Sequence, residues 1–184
     1  KRPAAPPVPA SAATTKTLHY VQDRIHDFAW FADKRFIVDH DTIIAHPSRI
    51  IDVYTYYTPE EVLQWKNSVK YCKEAVRHYS ALVGEYPYDI VQAVQGPASF
   101  GGGMEYPTIT AISPMPSAAE LDATLAHEIG HNWFYGILAS NERDHPWMDE
   151  GVNTYYEQLY SRAKYGIPGQ GDRTTLRMNA FEKL

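Results

Sequence analysis

Three ionisable residues crowd into five positions of the apolar segment LAHEIGHNWF: His127, Glu128 and His131, among Leu125, Ile129, Trp133 and Phe134. Burying such groups without partners is costly, so a helix that carries them needs something to compensate them. Positions four apart on a helix lie on nearly the same face, about 6 Å apart along the axis. His127 and His131 can therefore point at one ion, at roughly 2.0–2.1 Å from each nitrogen to zinc. Glu128 falls beside that face, within reach of a water held by the metal. Two ligands and a general base are what the H-E-x-x-H spacing supplies. Nineteen residues after His131, Glu150 in WMDEGVNTYYEQLY offers a third ligand near the start of another helix, where the helix dipole favours a carboxylate. Two histidines and a carboxylate leave a fourth position open, which suits a catalytic zinc rather than a closed structural one.

The elements that must position these residues are readable from spacing and caps. Ser117-Ala-Ala-Glu120 is a capping box that starts a helix running to about Leu138, and Trp147 to Lys164 reads as a helix ended by Gly166 and Pro168. The turn-rich ASNERDHP between them allows the two helices to run antiparallel, bringing Glu150 back to the histidines. Upstream, TPEEVLQWKNSVKYCKEAVRHYSALVG predicts one long helix. Thr58 is its N-cap, Pro59 its first residue, Glu61 the partner in a capping box and Gly84 the stop. Its buried face is the stripe Val62, Trp65, Val69, Cys72, Val76, Tyr79, Val83. Short strands are expected between Thr17 and Ala45, with a turn at Asp33-Lys34, and further strands at Ile50–Tyr57, Tyr88–Gln95 and Thr108–Ser113. The glycine-rich loop GPASFGGGMEYP joins the last two. Strands precede helices rather than alternating with them, so the expected class is α+β.

The Pro- and Ala-rich stretch 1–16 reads as a linker or arm. With 184 residues, 44% of them hydrophobic, the chain can bury one sizeable core. A net charge of -5 and no Lys/Arg run argue against nucleic acid. No apolar run approaches the roughly 18 residues that span a bilayer, so nothing points to membrane insertion. Cys72 is the only cysteine, which excludes an intramolecular disulfide framework and a thiolate cluster; it reads as a core residue. Cytoplasmic and exported settings are both compatible with this composition.

HEIGH, eighteen residues and then Glu150 resemble the gluzincin arrangement of the aminopeptidase N family. GGMEY (Gly102 to Tyr106) is similar to the family's exopeptidase motif, and HDFAW (His26 to Trp30) to its passage into the catalytic domain. The resemblance implies a thermolysin-like zincin fold, a small mixed sheet followed by ligand-bearing helices, present here in truncated form. Residues 17–48 would then end an N-terminal β domain and 49–184 open the catalytic domain.

One zinc ion would be held by His127, His131 and Glu150, with Glu128 as general base. Glu105 would bind the free α-amine of a peptide. Gly102, Gly103 and Met104 would line the path of its backbone, and the strand Thr108–Ser113 would be the edge on which it pairs. The implied activity is removal of N-terminal residues from peptides. Tyr106 stands where the family usually has Asn. The family's transition-state tyrosine is expected beyond Leu184, and the remaining N- and C-terminal domains lie outside this chain, so the stretch is expected to bind zinc but to hydrolyse weakly or not at all. A thermolysin-like endopeptidase and a non-catalytic module on a peptidase scaffold are the alternatives.

Overall fold

The structure, a computed structural model, describes Val8 and residues 10–166. Part of the expected arm, Pro168 and the tail from Gly169 to Leu184 lie outside the described residues. Among these residues, five strands form one mixed sheet in the order β1-β2-β3-β5-β4. They are β1 Ile37–His46, β2 Arg49–Tyr57, β3 Ile90–Gln95, β4 Gly103–Met104 and β5 Ile109–Ile112. β1 and β2 form an antiparallel hairpin, so the boundary expected at residue 48 falls in its turn and both strands share the sheet. β2, β3 and β5 run parallel, and β4 pairs antiparallel with β5. In β2 the period of two is plain: Ile51, Val53, Thr55 and Tyr57 are buried, and the residues between them are not.

Two expectations are corrected. The strand Thr108–Ser113 lies inside the sheet as β5; the edge is β4, built from the glycine-rich loop itself. Ser113 N–H donates to the Gly102 carbonyl at 2.8 Å, and Gly102 N–H to Ser113 Oγ at 3.1 Å, which folds the loop back onto the strand. Gly101 and Gly102 allow that reversal with φ of 72° and 111°.

The long helix predicted from Thr58 to Gly84 is broken. A 3-10 turn, Pro59–Glu61, precedes α1 (Val62–Trp65), and α2 (Ser68–Leu82) starts afresh after Lys66 and Asn67. The reason is tertiary. Thr58 N–H and Oγ1 both donate to Gln95 Oε1, at 2.7 and 3.0 Å, so its hydroxyl ties the chain to β3 and does not cap. The buried Ser68 hydroxyl donates to Thr55 Oγ1 at 2.8 Å, pinning the start of α2 onto β2. The central stripe residues Trp65, Cys72, Val76 and Tyr79 are buried as expected, while Val62 and Val83 at its ends are exposed. Burial pushes the Cys72 thiol up to about 12, consistent with a packing role.

α3 (Ala118–His131) begins at the expected capping box: Ser117 Oγ accepts from Glu120 N–H at 3.2 Å and donates to Glu120 Oε2 at 2.8 Å. It continues as a π-helical turn, Asn132–Ile137, and a second π turn, Trp147–Val152, leads into α4 (Asn153–Tyr165). Gly166 closes α4 with φ 61°. Leu121, Leu125, Ala126 and Ile129 of α3 enter the core beneath the sheet. The antiparallel packing of α4 on α3 is clamped by buried Asp122, which receives the Tyr160 hydroxyl at 2.7 Å, the Tyr165 hydroxyl and, at 2.5 Å, the Lys164 ammonium. Leu125 is fully buried. Leu125→Ala is therefore expected to lower unfolding free energy by about 2–5 kcal/mol in urea titration.

Candidate metal centre

Helical spacing on α3 and the α3–α4 clamp bring three side chains to one point. His127 Nε2 and His131 Nε2 face each other at 3.1 Å, and Glu150 Oε2 lies 3.4 Å from the first and 4.0 Å from the second. Donors bound at about 2.0–2.2 Å to a tetrahedral ion sit roughly 3.3–3.6 Å apart. The two spacings to His127 lie near that range and the Glu150–His131 spacing is about 0.4 Å wider, so the three atoms could hold one ion after a small movement of the exposed Glu150 side chain. Two imidazole lone pairs and a carboxylate oxygen this close repel one another unless a cation or a shared proton lies among them, so the donor set itself calls for a positive charge.

Each ring is turned by a carboxylate at its far nitrogen. His131 Nδ1–H donates to Asp149 Oδ1 at 2.6 Å, with both side chains 1% exposed. His127 Nδ1–H donates to Glu157 Oε2 at 3.3 Å. These bonds leave both Nε2 atoms as acceptors toward the common point. The sequence reading did not single out Asp149 or Glu157. Their only signal is position: Asp149 adjoins Glu150, and Glu157 lies seven residues on, two helical turns along the same face. A second cluster, Glu105, His131 and Asp149, also holds its donor atoms within 4.8 Å. There Asp149 and the His131 Nδ1 are already joined by the hydrogen bond, so this cluster orients the ring.

Glu128 is buried beside the histidines, and its Oε2 has no hydrogen-bond partner among the described residues. Burial pushes its carboxyl up to about 7; the imidazoles of His127 and His131 oppose the rise, and the charges of Glu105 and Glu150 add to it. Gly103 explains how the side chain fits, because a Cβ at that position would overlap the Glu128 carboxyl group. Met104 follows on β4, and its carbonyl accepts the Thr110 hydroxyl at 2.9 Å. Glu105 leaves that edge strand toward the centre. Burial raises its carboxyl, His131 opposes the rise, and Asp149 and Glu150 reinforce it. Tyr106 turns away to meet Phe31, with ring centroids 6.4 Å apart. Tyr156 stacks on Phe134 at 5.2 Å and Tyr155 sits edge-on to Tyr156, so both support α4.

No family model matches the chain. It is 28% identical over 110 residues to leucine aminopeptidase 2 of Candida albicans, covering 58% of this chain and 18% of that protein. Against aminopeptidase B of Homo sapiens it is 31% identical over 88 residues, 46% of this chain and 14% of the relative. The fold matches aminopeptidase A of Legionella pneumophila, solved with aspartic acid, at a TM-score of 0.59 and 14% identity over 71% of this chain and 17% of that one. It also matches a point variant of an M1 zinc metallopeptidase from Deinococcus radiodurans at 0.52 and 14% identity, over 69% and 29% of the two chains. The relatives in sequence are named aminopeptidases and the neighbours in fold include M1 zinc metallopeptidases, in line with the resemblance that the HEIGH and GGMEY motifs carry. The chain spans less than a fifth of the length of these two curated relatives. Its α+β architecture, a small mixed sheet followed by helices, is that of the M1 neighbours.

One consequence of this geometry concerns protons. Burial alone would lower the pKa of His127, but the Glu157 bond and the charges of Glu128, Glu157 and Glu150 outweigh it and carry the imidazole up to about 9. A metal ligand must be neutral, so binding displaces that proton. Below about pH 9 the metal-free state holds it; apparent zinc affinity is therefore expected to rise about tenfold per pH unit from pH 6.5 to 8.5. At fixed free zinc the added stability widens by about 1.4 kcal/mol per unit. Thermal melts with and without zinc across that range provide the measurement.

Proposed function

We propose that this chain carries the zinc-binding and proton-transfer core of an aminopeptidase that releases N-terminal residues from peptides. The convergence of His127 Nε2, His131 Nε2 and Glu150 Oε2 is the observation that supports it most directly. One zinc ion would be held by those three residues, and it would supply a polarising charge at a scissile carbonyl and a more acidic water.

The chain's own residues account for the remaining steps. Glu128, buried with a free carboxylate oxygen and a pKa near 7, is suited to take a proton from water and return it to the leaving amine. Glu105 directly follows the half-buried edge strand β4, where a peptide running along Gly102, Gly103 and Met104 would present its first residue. A carboxylate there favours a free α-ammonium group, so the first peptide bond is the one placed for cleavage. The backbone of β4 offers the peptide a strand partner.

In the complete protein, an aminoacyl substrate with a free amine is expected to be cleaved while its N-acetylated form is not. Equal cleavage of both would replace the exopeptidase reading with an endopeptidase one. Glu128→Gln is expected to keep zinc, measured by elemental analysis, and to reduce turnover by at least the roughly 10²-fold typical of losing a positioned acid–base group. A variant that still turned over at the native rate would remove Glu128 from the mechanism.

A further inference from the structure

Glu150 is the weakly held member of the triad. Its side chain is 55% exposed, and its contacts among the described residues are those with the two histidines. Its place must come from the backbone that carries it. That backbone is tied down three residues later by Asn153, the first residue of α4, which is fully buried.

Asn153 makes a specific junction. Its Nδ2 donates to the His127 carbonyl at 2.7 Å, and its Oδ1 accepts from the Tyr79 hydroxyl at 3.3 Å, joining α4 to α3 and α2 together. The amide lies flat against α3 because residue 130 is glycine: a Cβ on Gly130 would overlap both Asn153 Oδ1 and the Tyr79 ring. The bond lands on the backbone of a zinc-triad residue, one helical turn before His131. Separation and rotation of the two ligand-bearing helices are thus set at this point.

We infer that Asn153 is a positioning residue for metal binding, locking the Glu150 carboxylate in register with His127 and His131 through the His127 carbonyl. The inference rests on the zinc reading above. A residue that only filled the core would affect stability alone. A lock on the triad also governs the affinity of the folded protein for the ion, because the donors must meet within a few tenths of an ångström.

The test is zinc affinity of the folded protein, measured by competition with a chromophoric chelator, for wild type, Asn153→Ala, Asn153→Asp and Glu150→Ala. Circular dichroism melts of the metal-free forms are recorded alongside. Asn153→Ala is expected to lose about 10–100-fold in zinc affinity, the scale of other supporting groups around metal ligands. Asn153→Asp keeps the size and the acceptor for Tyr79 but removes the donor to His127; it is expected to show a loss of the same order and covers the case in which the alanine variant does not fold. A lowered melting temperature with native zinc affinity in the folded variants would overturn the inference. Wild type without zinc affinity would instead overturn the zinc reading, and this inference with it.

Discussion

Two imidazole nitrogens held 3.1 Å apart on one face of a buried helix, with a carboxylate oxygen closing the triangle, form the constraint on which the rest depends. Without a cation or a shared proton among them, such an arrangement sets electron pairs against one another in a medium of low polarity. It persists because both histidines are held from behind: Asp149 and Glu157 bind the far nitrogens, and Asn153 binds the His127 backbone. The same contacts that make the centre costly without a cation fix its geometry in advance of one. Preorganisation and electrostatic tension are two aspects of one design.

The glycines around this centre act through space more than through backbone freedom. Gly130 admits the Asn153 amide and the Tyr79 ring against α3, and Gly103 admits the Glu128 carboxyl against β4. Each removes one side chain at a place where a polar group of another element must approach a backbone. Close approach of helix to helix, and of helix to edge strand, brings His127, His131, Glu150, Glu128 and Glu105 close to one another. At Gly101 and Gly102, by contrast, positive φ is the reason for glycine, because there the loop must reverse onto β5.

The long helix and the edge strand show how far local signals reach. The 3.6-residue stripe through Trp65, Cys72, Val76 and Tyr79 was legible, and so was the face it buries. The break after Trp65 was not, because it follows from hydrogen bonds of Thr58 to Gln95 and of Ser68 to Thr55, partners 37 and 13 residues away. Thr58 reads locally as a cap; tertiary pairing reassigns its hydroxyl. Likewise, Thr108–Ser113 has the composition of a strand in either setting, and its interior place depends on a two-residue partner formed by a loop.

The sequence by itself determined that His127 and His131 share one helix face with Glu128 beside it, that Glu150 lies near the start of a second helix and that the first helix begins at a capping box. These properties are periodic or local, and a short window of residues contains them. Tertiary structure alone decided that Asp149 and Glu157 orient the rings, that Asn153 registers α4 on α3 and that Gly103 seats Glu128 beneath the edge strand. Those relations join residues up to thirty positions apart in the chain, and no periodicity encodes which side chain of one packed helix meets which backbone group of another. The candidate ligands are written in spacing; their support is written in packing.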